Sequence, residues 1–257
     1  MKRSKFYFSK VFLLWSLPLF IHAQEKPASS AEELAKKLAD PVAGLISVPL
    51  QNNTDYGIGD FNGSKNTLNF QPVIPVPLSS GLNMIVRLIL PIVSQRDITG
   101  ENTRQSGLSD ASLTASFAPS NSKNGVIWAV GPAFFIPTGT ADFLTTKKWG
   151  VGPSALLLNQ AKGLTFGFLV NQIWSFAGDE DRSDVHQMFL QSSLTHNWKS
   201  GAGLGVNAGN YLQLERKHHA AFINPVVSGV TKLGKQTISL AVGPRIPVLK
   251  YNKSRRF

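Results

Sequence analysis

The stretch LTFGFLVN (164–171) decides how this chain folds. Leu164, Phe166, Phe168 and Val170 make one apolar row, and Thr165, Gly167, Leu169 and Asn171 make the row between them. A repeat of two puts the rows on opposite faces of a β-strand, because successive side chains of an extended chain point to opposite sides. The pattern recurs along the chain. Leu82, Met84, Val86, Leu88 and Leu90 alternate with Asn83, Ile85, Arg87 and Ile89. Leu113, Ala115 and Phe117 alternate with Ser112, Thr114 and Ser116. Leu204, Val206 and Ala208 do so with Gly203, Gly205, Asn207 and Gly209, and Ile238, Leu240 and Val242 with Thr237, Ser239, Ala241 and Gly243.

The second face sets the class. It is rich in Gly, Ser, Thr, Asn and Gln and poor in charge, whereas the outer face of a soluble sandwich carries many Lys and Glu. An apolar row toward lipid and a polar, weakly charged row toward a lumen account for both faces. Only a closed barrel lets a sheet sit in lipid without unpaired edges. Runs such as 164–176 and 185–198 exceed the roughly 9–11 residues that cross hydrocarbon at a tilt, and far exceed the roughly five or six of an average strand. Turn signals at 62–64, 79–81, 120–125, 161–163, 199–201 and 233–235 alternate with longer polar stretches at 94–107, 137–148 and 178–184, the short-turn, long-loop asymmetry of bacterial barrels.

Strands are expected near 44–53, 67–77, 82–93, 108–118, 126–137, 149–159, 164–176, 185–198, 203–214, 219–232 and 236–246. Bacterial single-chain barrels have even strand numbers, so about twelve are expected, with one missed or poorly formed. The fold class is therefore an all-β antiparallel transmembrane barrel with a short N-terminal helix. Trp128, Trp149, Trp174, Trp198 and Tyr211 lie near strand ends, where an interfacial girdle would place them. Pro72, Pro75 and Pro77 crowd one run, and each removes a ladder donor.

The N-terminus has the layout of a secretory signal: basic Lys2, Arg3, Lys5 and Lys10, an apolar run from Val11 to Ile21, and a cut expected after Ala23. That gives residues 1–23 as a signal peptide, 24–43 as a tether and short helix, and 44–257 as the barrel. In the helical part, Ala31, Leu34, Ala35 and Leu38 are spaced for one face, with Ser30 as N-cap and Pro41 beyond the end. Cleavage would take four cations and no acid, lowering the net charge from +11 to +7. The remaining excess sits at Lys147-Lys148, at 216–219 and at 250–256, where it suits anionic headgroups. No nucleic-acid motif accompanies it, and no nucleic-acid partner is expected. There is no cysteine, which excludes disulfides, thiol chemistry and Cys-ligated metal.

Several segments carry a family resemblance: ELAKKLADPVAGLISVPLQNN (33–53), NFQPVIPVPL (69–78), RLILPIV (87–93), GLSD (107–110), VIWAVGPAFFIPT (126–138), KWGVGPSALLL (148–158) and NQIWSFAGDE (171–180). Together they resemble a family of bacterial outer-membrane "transporter" proteins related to the barrels of the phenol meta-cleavage degradation pathway. The resemblance implies a porin-like barrel in a Gram-negative outer membrane that passes small, apolar or aromatic compounds. Its partners would be outer-membrane lipid and lipopolysaccharide, the barrel-assembly machinery and a small-molecule substrate. Family members usually end on another aromatic-rich strand, where this chain has LKYNKSRRF (249–257).

The residues expected to face the lumen are Asn69, Gln71, Asn83, Arg87, Asp110, Asn171, Gln187, Gln191, Asn207 and Arg245. Arg87 and Asp110 fall on adjacent expected strands, where they could pair. The alternative is a non-transporting barrel whose interior these groups fill, or a lipid-modifying enzyme. For the enzyme, Asp184 and His186 would share a strand face, but no nucleophile motif or metal-spaced cluster occurs. The chain is read as non-enzymatic, without cofactor. His218-His219 and Asp179-Glu180-Asp181 are read as solvated turns, and Gly203-x-Gly205 as small residues that let the wall curve or admit a neighbour.

Overall fold

The alternating rows become one antiparallel sheet. The computed structural model describes residues 14–16, 31–40, 44–121, 125–213, 218–234 and 236–250. The expected signal peptide apart from residues 14–16, the tether 24–30 and the tail from residue 251 lie outside the described residues. The elements in order are β1 (Leu14–Ser16), α1 (Ala31–Ala39), β2 (Pro49–Ile58), β3 (Gly63–Phe70), β4 (Val73–Pro77), β5 (Leu82–Arg96), β6 (Arg104–Leu108), β7 (Ala111–Pro119), β8 (Val126–Ile136), β9 (Lys148–Ala161), β10 (Leu164–Gly178), β11 (His186–Asn197), β12 (Ala202–Gln213), β13 (His218–Leu233), β14 (Gln236–Val242) and β15 (Ile246–Lys250).

Three pairs of short strands are single strands with a break. Both β3 and β4 pair with one edge of β5, both β6 and β7 with its other edge, and both β14 and β15 with β13. Among the described residues the sheet thus has eleven long strands, each antiparallel to the next. An odd number leaves the first and last strands parallel. The seam between them is occupied by β1, antiparallel to both β2 and β14. A segment removed on export cannot hold this seam in the mature barrel, so cleavage after Ala23 and this pairing exclude one another in one molecule.

The first hairpin departs from expectation. Its strands run 49–58 and 63–77 rather than 44–53 and 67–77. Neither PLQNNTDYGI nor GSKNTLNF carries an apolar row to mark the strand. The prolines of β4 are accommodated by direction. Gln71 N donates to Pro49 O at 3.0 Å and Val73 N to Ser47 O at 2.8 Å, so the odd-numbered amides here face the β2 side. Pro75 and Pro77 fall on that side beyond Ser47, the last described partner, and forfeit no ladder bond to β5. Pro72 marks the break between β3 and β4, and its carbonyl still accepts from Leu88 N at 3.1 Å.

Every alternating row keeps one face. Phe166, Leu204 and Val227 point outward and are 42%, 52% and 59% exposed, while Ile85, Ala118 and Ala129 are buried inside against Val73 and Leu156. Trp128 and Trp198 point outward near one rim, and Trp149 and Trp174 near the other. Tyr211 does not join them: it shares the inward parity of Gly203 and Gly209.

At the end of the short turns lies α1. It packs on β11 and β13 with Leu34 and Ala35 buried, and its Lys36 carbonyl accepts from Gln160 Nε2 at 3.0 Å. Lys36 and Lys37 sit in its last turn, where cations complement the helix dipole. Lys162-Gly163, with φ of 48° and 79°, joins β9 to β10 as a two-residue hairpin.

Gly163→Val forces a β-branched residue into left-handed backbone and should destabilise the barrel by about 1–2 kcal/mol. Lys162→Gly should leave stability equal or slightly higher. Urea unfolding, followed by tryptophan fluorescence, checks both.

Candidate functional site

The interior is built on amides. Gln71, where β3 gives way to β4, is buried; its Nε2 donates to Gln51 Oε1 at 2.8 Å, and its own Oε1 accepts from Arg87 Nη2 at 2.7 Å. Gln51 Nε2 continues the chain to Asn53 Oδ1 at 3.5 Å. Three neighbouring strands are thereby tied on their inner face. Arg87 is held by a neutral oxygen, so its charge is oriented without being cancelled.

Beside this network lies a cavity of about 240 Å³. Ser112, Thr114, Ser116, Ser154 and Asn171 give it a polar wall, and Ile85, Ile89, Leu156, Leu158 and Leu169 an apolar one. Lys37, Leu38 and Asp40 close one side from the helix segment, and Gln71 and Arg87 reach in from β3–β5. Ser154 Oγ donates to Asn171 Oδ1 at 2.6 Å.

An aromatic patch continues the wall. In register, Asn171 faces Phe189 and Phe189 faces Tyr211, carrying the row across β10, β11 and β12. The Phe189 and Tyr211 rings are 4.4 Å apart, and Tyr211 and Phe222 are 6.1 Å apart. Phe222 lies over Gly209, its partner on β12, where a Cβ would sit 2.1 Å from the ring. Arg245 stacks on Phe222 at 4.1 Å and reaches Asp55 at 3.7 Å. That ion pair spans the seam between the last and first long strands.

The expected lumen residues distribute as follows. Gln71, Arg87 and Asn171 line the cavity. Asn69 pairs with Gln51, and Gln191 with the cavity residue Leu169, in the same inner row. Gln187 faces buried Ile173, and Asn207 faces Asn224. Asn83 sits near the short-turn end and accepts from Ser120 Oγ at 3.2 Å. Asp110 and Arg87 do not pair. Arg87 is in register with Thr114, about 13 Å along the strand from Asp110 at 3.3 Å per residue.

Asp110 instead anchors a loop. Oδ1 accepts from Gly139 N at 3.2 Å, and Oδ2 from Thr146 N at 2.6 Å and Thr146 Oγ1 at 2.8 Å. Thr138 Oγ1 and Thr140 Oγ1 add bonds to Ser109 O and from Leu108 N. Loop 137–147 is thus folded onto the bulge between β6 and β7. Ion pairs extend the clasp: Lys147 to Asp142 at 2.8 Å and Asp179 at 3.7 Å, Arg182 to Asp142 at 3.4 Å, and Lys148 to Asp184 at 3.0 Å. The hydrogen bond and charge of Lys147 hold the Asp142 carboxyl below its ordinary value, with Arg182 adding to it. Hydrogen bonds from Lys148 and then Ser175 do the same for Asp184.

Asp184 lies in the loop before β11 and binds Lys148 and Ser175, while His186 begins the strand with its ring 5.8 Å from Trp174. His218 and His219 begin β13 rather than form a turn, and His219 Nε2 meets Asn210 Oδ1 at 2.8 Å. Asp179 Oδ1 accepts from Asp181 N, shaping its own turn. At Gly203 and Gly205 the close neighbours are the hydroxyls of Ser228 and Thr195.

The model of the family described as "Putative MetA-pathway of phenol degradation" matches residues 47–246. The chain belongs to this family. No curated protein matches it. Its fold is similar to the crystal structure of an outer membrane channel from Pseudomonas putida F1, with a TM-score of 0.55 and 12% identity over 95% of this chain and 97% of that one. The matched span of this family member runs from the start of the first long strand to β15 and includes every residue of the cavity wall on the strands.

Asp110→Ala leaves three donors without their charged acceptor and should loosen loop 137–147 at a cost on the order of 3 kcal/mol. Protease nicking of that loop should rise, with the barrel still folded. The ion pairs predict a pH dependence. Depressed carboxyl pKa values stabilise the loop above the ordinary carboxylate range and lose that contribution as pH falls through the folded values. Nicking should be constant from neutral pH down and increase only below about pH 4.

Proposed function

We propose that this chain is an outer-membrane channel for small apolar or aromatic compounds. The observation that carries the reading is the cavity of mixed polarity enclosed by a sheet whose outer face is apolar and rimmed by tryptophan. In water, such an outer face would be an aggregation hazard; in lipid it is the matched surface. The signal-like N-terminus and the fold shared with an outer membrane channel support export to the outer membrane, where the apolar band would meet lipid and lipopolysaccharide after insertion by the assembly machinery.

In this reading the short turns face the periplasm, and α1 is a plug in the periplasmic mouth. Its hold on the wall includes the Leu34 and Ala35 seat and the Gln160 bond. That seat also favours a second reading, a barrel closed for good, since the helix and the amide network fill much of one end.

Reconstitution separates the two. Insertion is established by a mobility shift on boiling. Liposomes carrying the folded protein should swell in small neutral solutes, and Leu34→Asp, which puts a carboxylate into an apolar seat at a cost of several kcal/mol, should swell faster. Folded protein that passes nothing, with or without Leu34→Asp, would establish the closed barrel.

A further inference from the structure

We infer that the interior holds a binding site for a small aromatic anion, such as a single-ring carboxylate or sulfonate, recognised by Arg87 at the cavity and by the Phe189–Tyr211 face beside it. The inference rests on the channel reading for its biological sense, but the site is defined by its own chemistry.

Charge comes first. An arginine on an inner wall usually faces a carboxylate, because an unpaired buried guanidinium is expensive. Arg87 has instead the Oε1 of Gln71, itself held by Gln51. A guanidinium has five N–H donors in a fixed fork. One contact to an amide at 2.7 Å fixes the plane of the group and leaves donors for a two-oxygen acceptor. The cavity walls within reach carry hydroxyls and one amide from the strands, not acids: Ser112, Thr114, Ser116, Ser154 and Asn171. The helix side contributes one cation, Lys37, and one anion, Asp40.

Shape comes second. Asn171 belongs both to the cavity and to the row that continues into Phe189 and Tyr211. Arg245 is the second arginine on this inner wall. The two arginines differ in what they are free to do. Arg245 is committed to the Phe222 ring and to Asp55, so it fixes the far side of the patch. Arg87 is the one with donors to spare. A flat ring entering the cavity past Asn171, from the Phe189 and Tyr211 side, would carry a substituent acid group toward Arg87, with Ile85 and Leu169 among the apolar residues it would cover. A cavity of about 240 Å³ has room for one ring and its acid group.

The test is equilibrium binding to the full chain, folded in an uncharged maltoside detergent and checked by its gel shift on boiling. Calorimetric titration with benzenesulfonate should show one saturable site. Methanesulfonate, which has the charge without the ring, and benzyl alcohol, which has the ring without the charge, should each bind about tenfold more weakly or worse, after subtraction of empty micelles. Arg87→Gln should weaken benzenesulfonate about tenfold and leave benzyl alcohol unchanged, as expected for loss of one charge-assisted contact. Phe189→Ser should weaken both ring compounds. Equal binding of the two sulfonates, or an undiminished site in folded Arg87→Gln, would overturn the inference. Binding intact without liposome flux would sink the channel reading alone; flux intact without this binding would sink the anion site alone.

Discussion

A backbone amide left in hydrocarbon without a partner costs several kcal/mol, and that penalty governs everything else about a sheet in lipid. Eleven antiparallel strands can satisfy all their interior edges and still fail at one place, the junction of first and last, because an odd count makes those two parallel. In this structure the junction is bridged by a short antiparallel segment and braced on the inner side by Arg245, which sits between the Phe222 ring and Asp55. The aromatic patch is therefore tied to closure. Gly209 gives Phe222 its place, Phe222 gives Arg245 its face, and Arg245 reaches across to the first long strand.

The same economy appears in the breaks. Pro72, Pro75 and Pro77 look from the sequence like damage to a strand. Direction resolves this, since two of them turn their missing donors toward an edge with no ladder beyond Ser47, and the third lies where β3 passes into β4. The bulge at Ser109 and Asp110 likewise trades ladder regularity for a clasp on loop 137–147. Interruptions of the ladder thus fall where another bond takes over.

Much of this was legible in the sequence. A period of two fixes which side chains share a face, and the rows at 82–90, 113–117, 164–171 and 204–209 keep their assigned faces. Turn residues fixed the hairpins, Lys162-Gly163 most sharply. What was not legible depends on register or on chemistry shared between distant strands. The first hairpin carries Asn and Thr on both faces, so periodicity had nothing to report and its bounds came out four or five residues adrift. Arg87 and Asp110 sit on neighbouring strands, but register decides whether neighbours meet, and the bulge sends Asp110 to the loop. Tyr211 near a strand end reads as a girdle residue, and only its parity with Gly209 turns it inward. The pairing of Gly209 with Phe222 had a signal in principle: a glycine in an otherwise regular strand marks a close approach.

Inside the barrel, polar groups that bind each other compete with any passing solute. Most of the amide network is spent in this way: Gln71 uses both ends of its amide, and Ser154 and Asn171 use one another. Neutral polar solutes would have to break these bonds and could offer little in return, since one neutral hydrogen bond exchanged for another is worth about 1 kcal/mol or less. Charge is different, because an anion at Arg87 forms a charge-assisted contact without displacing the Gln71 bond that orients the fork. Apolar surface is different too, because Ile85, Ile89, Leu156 and Leu169 gain nothing from the network and gain from covering. On the reading proposed above, the interior would hold compounds that combine a ring with one negative charge more tightly than the small neutral solutes that pass without binding.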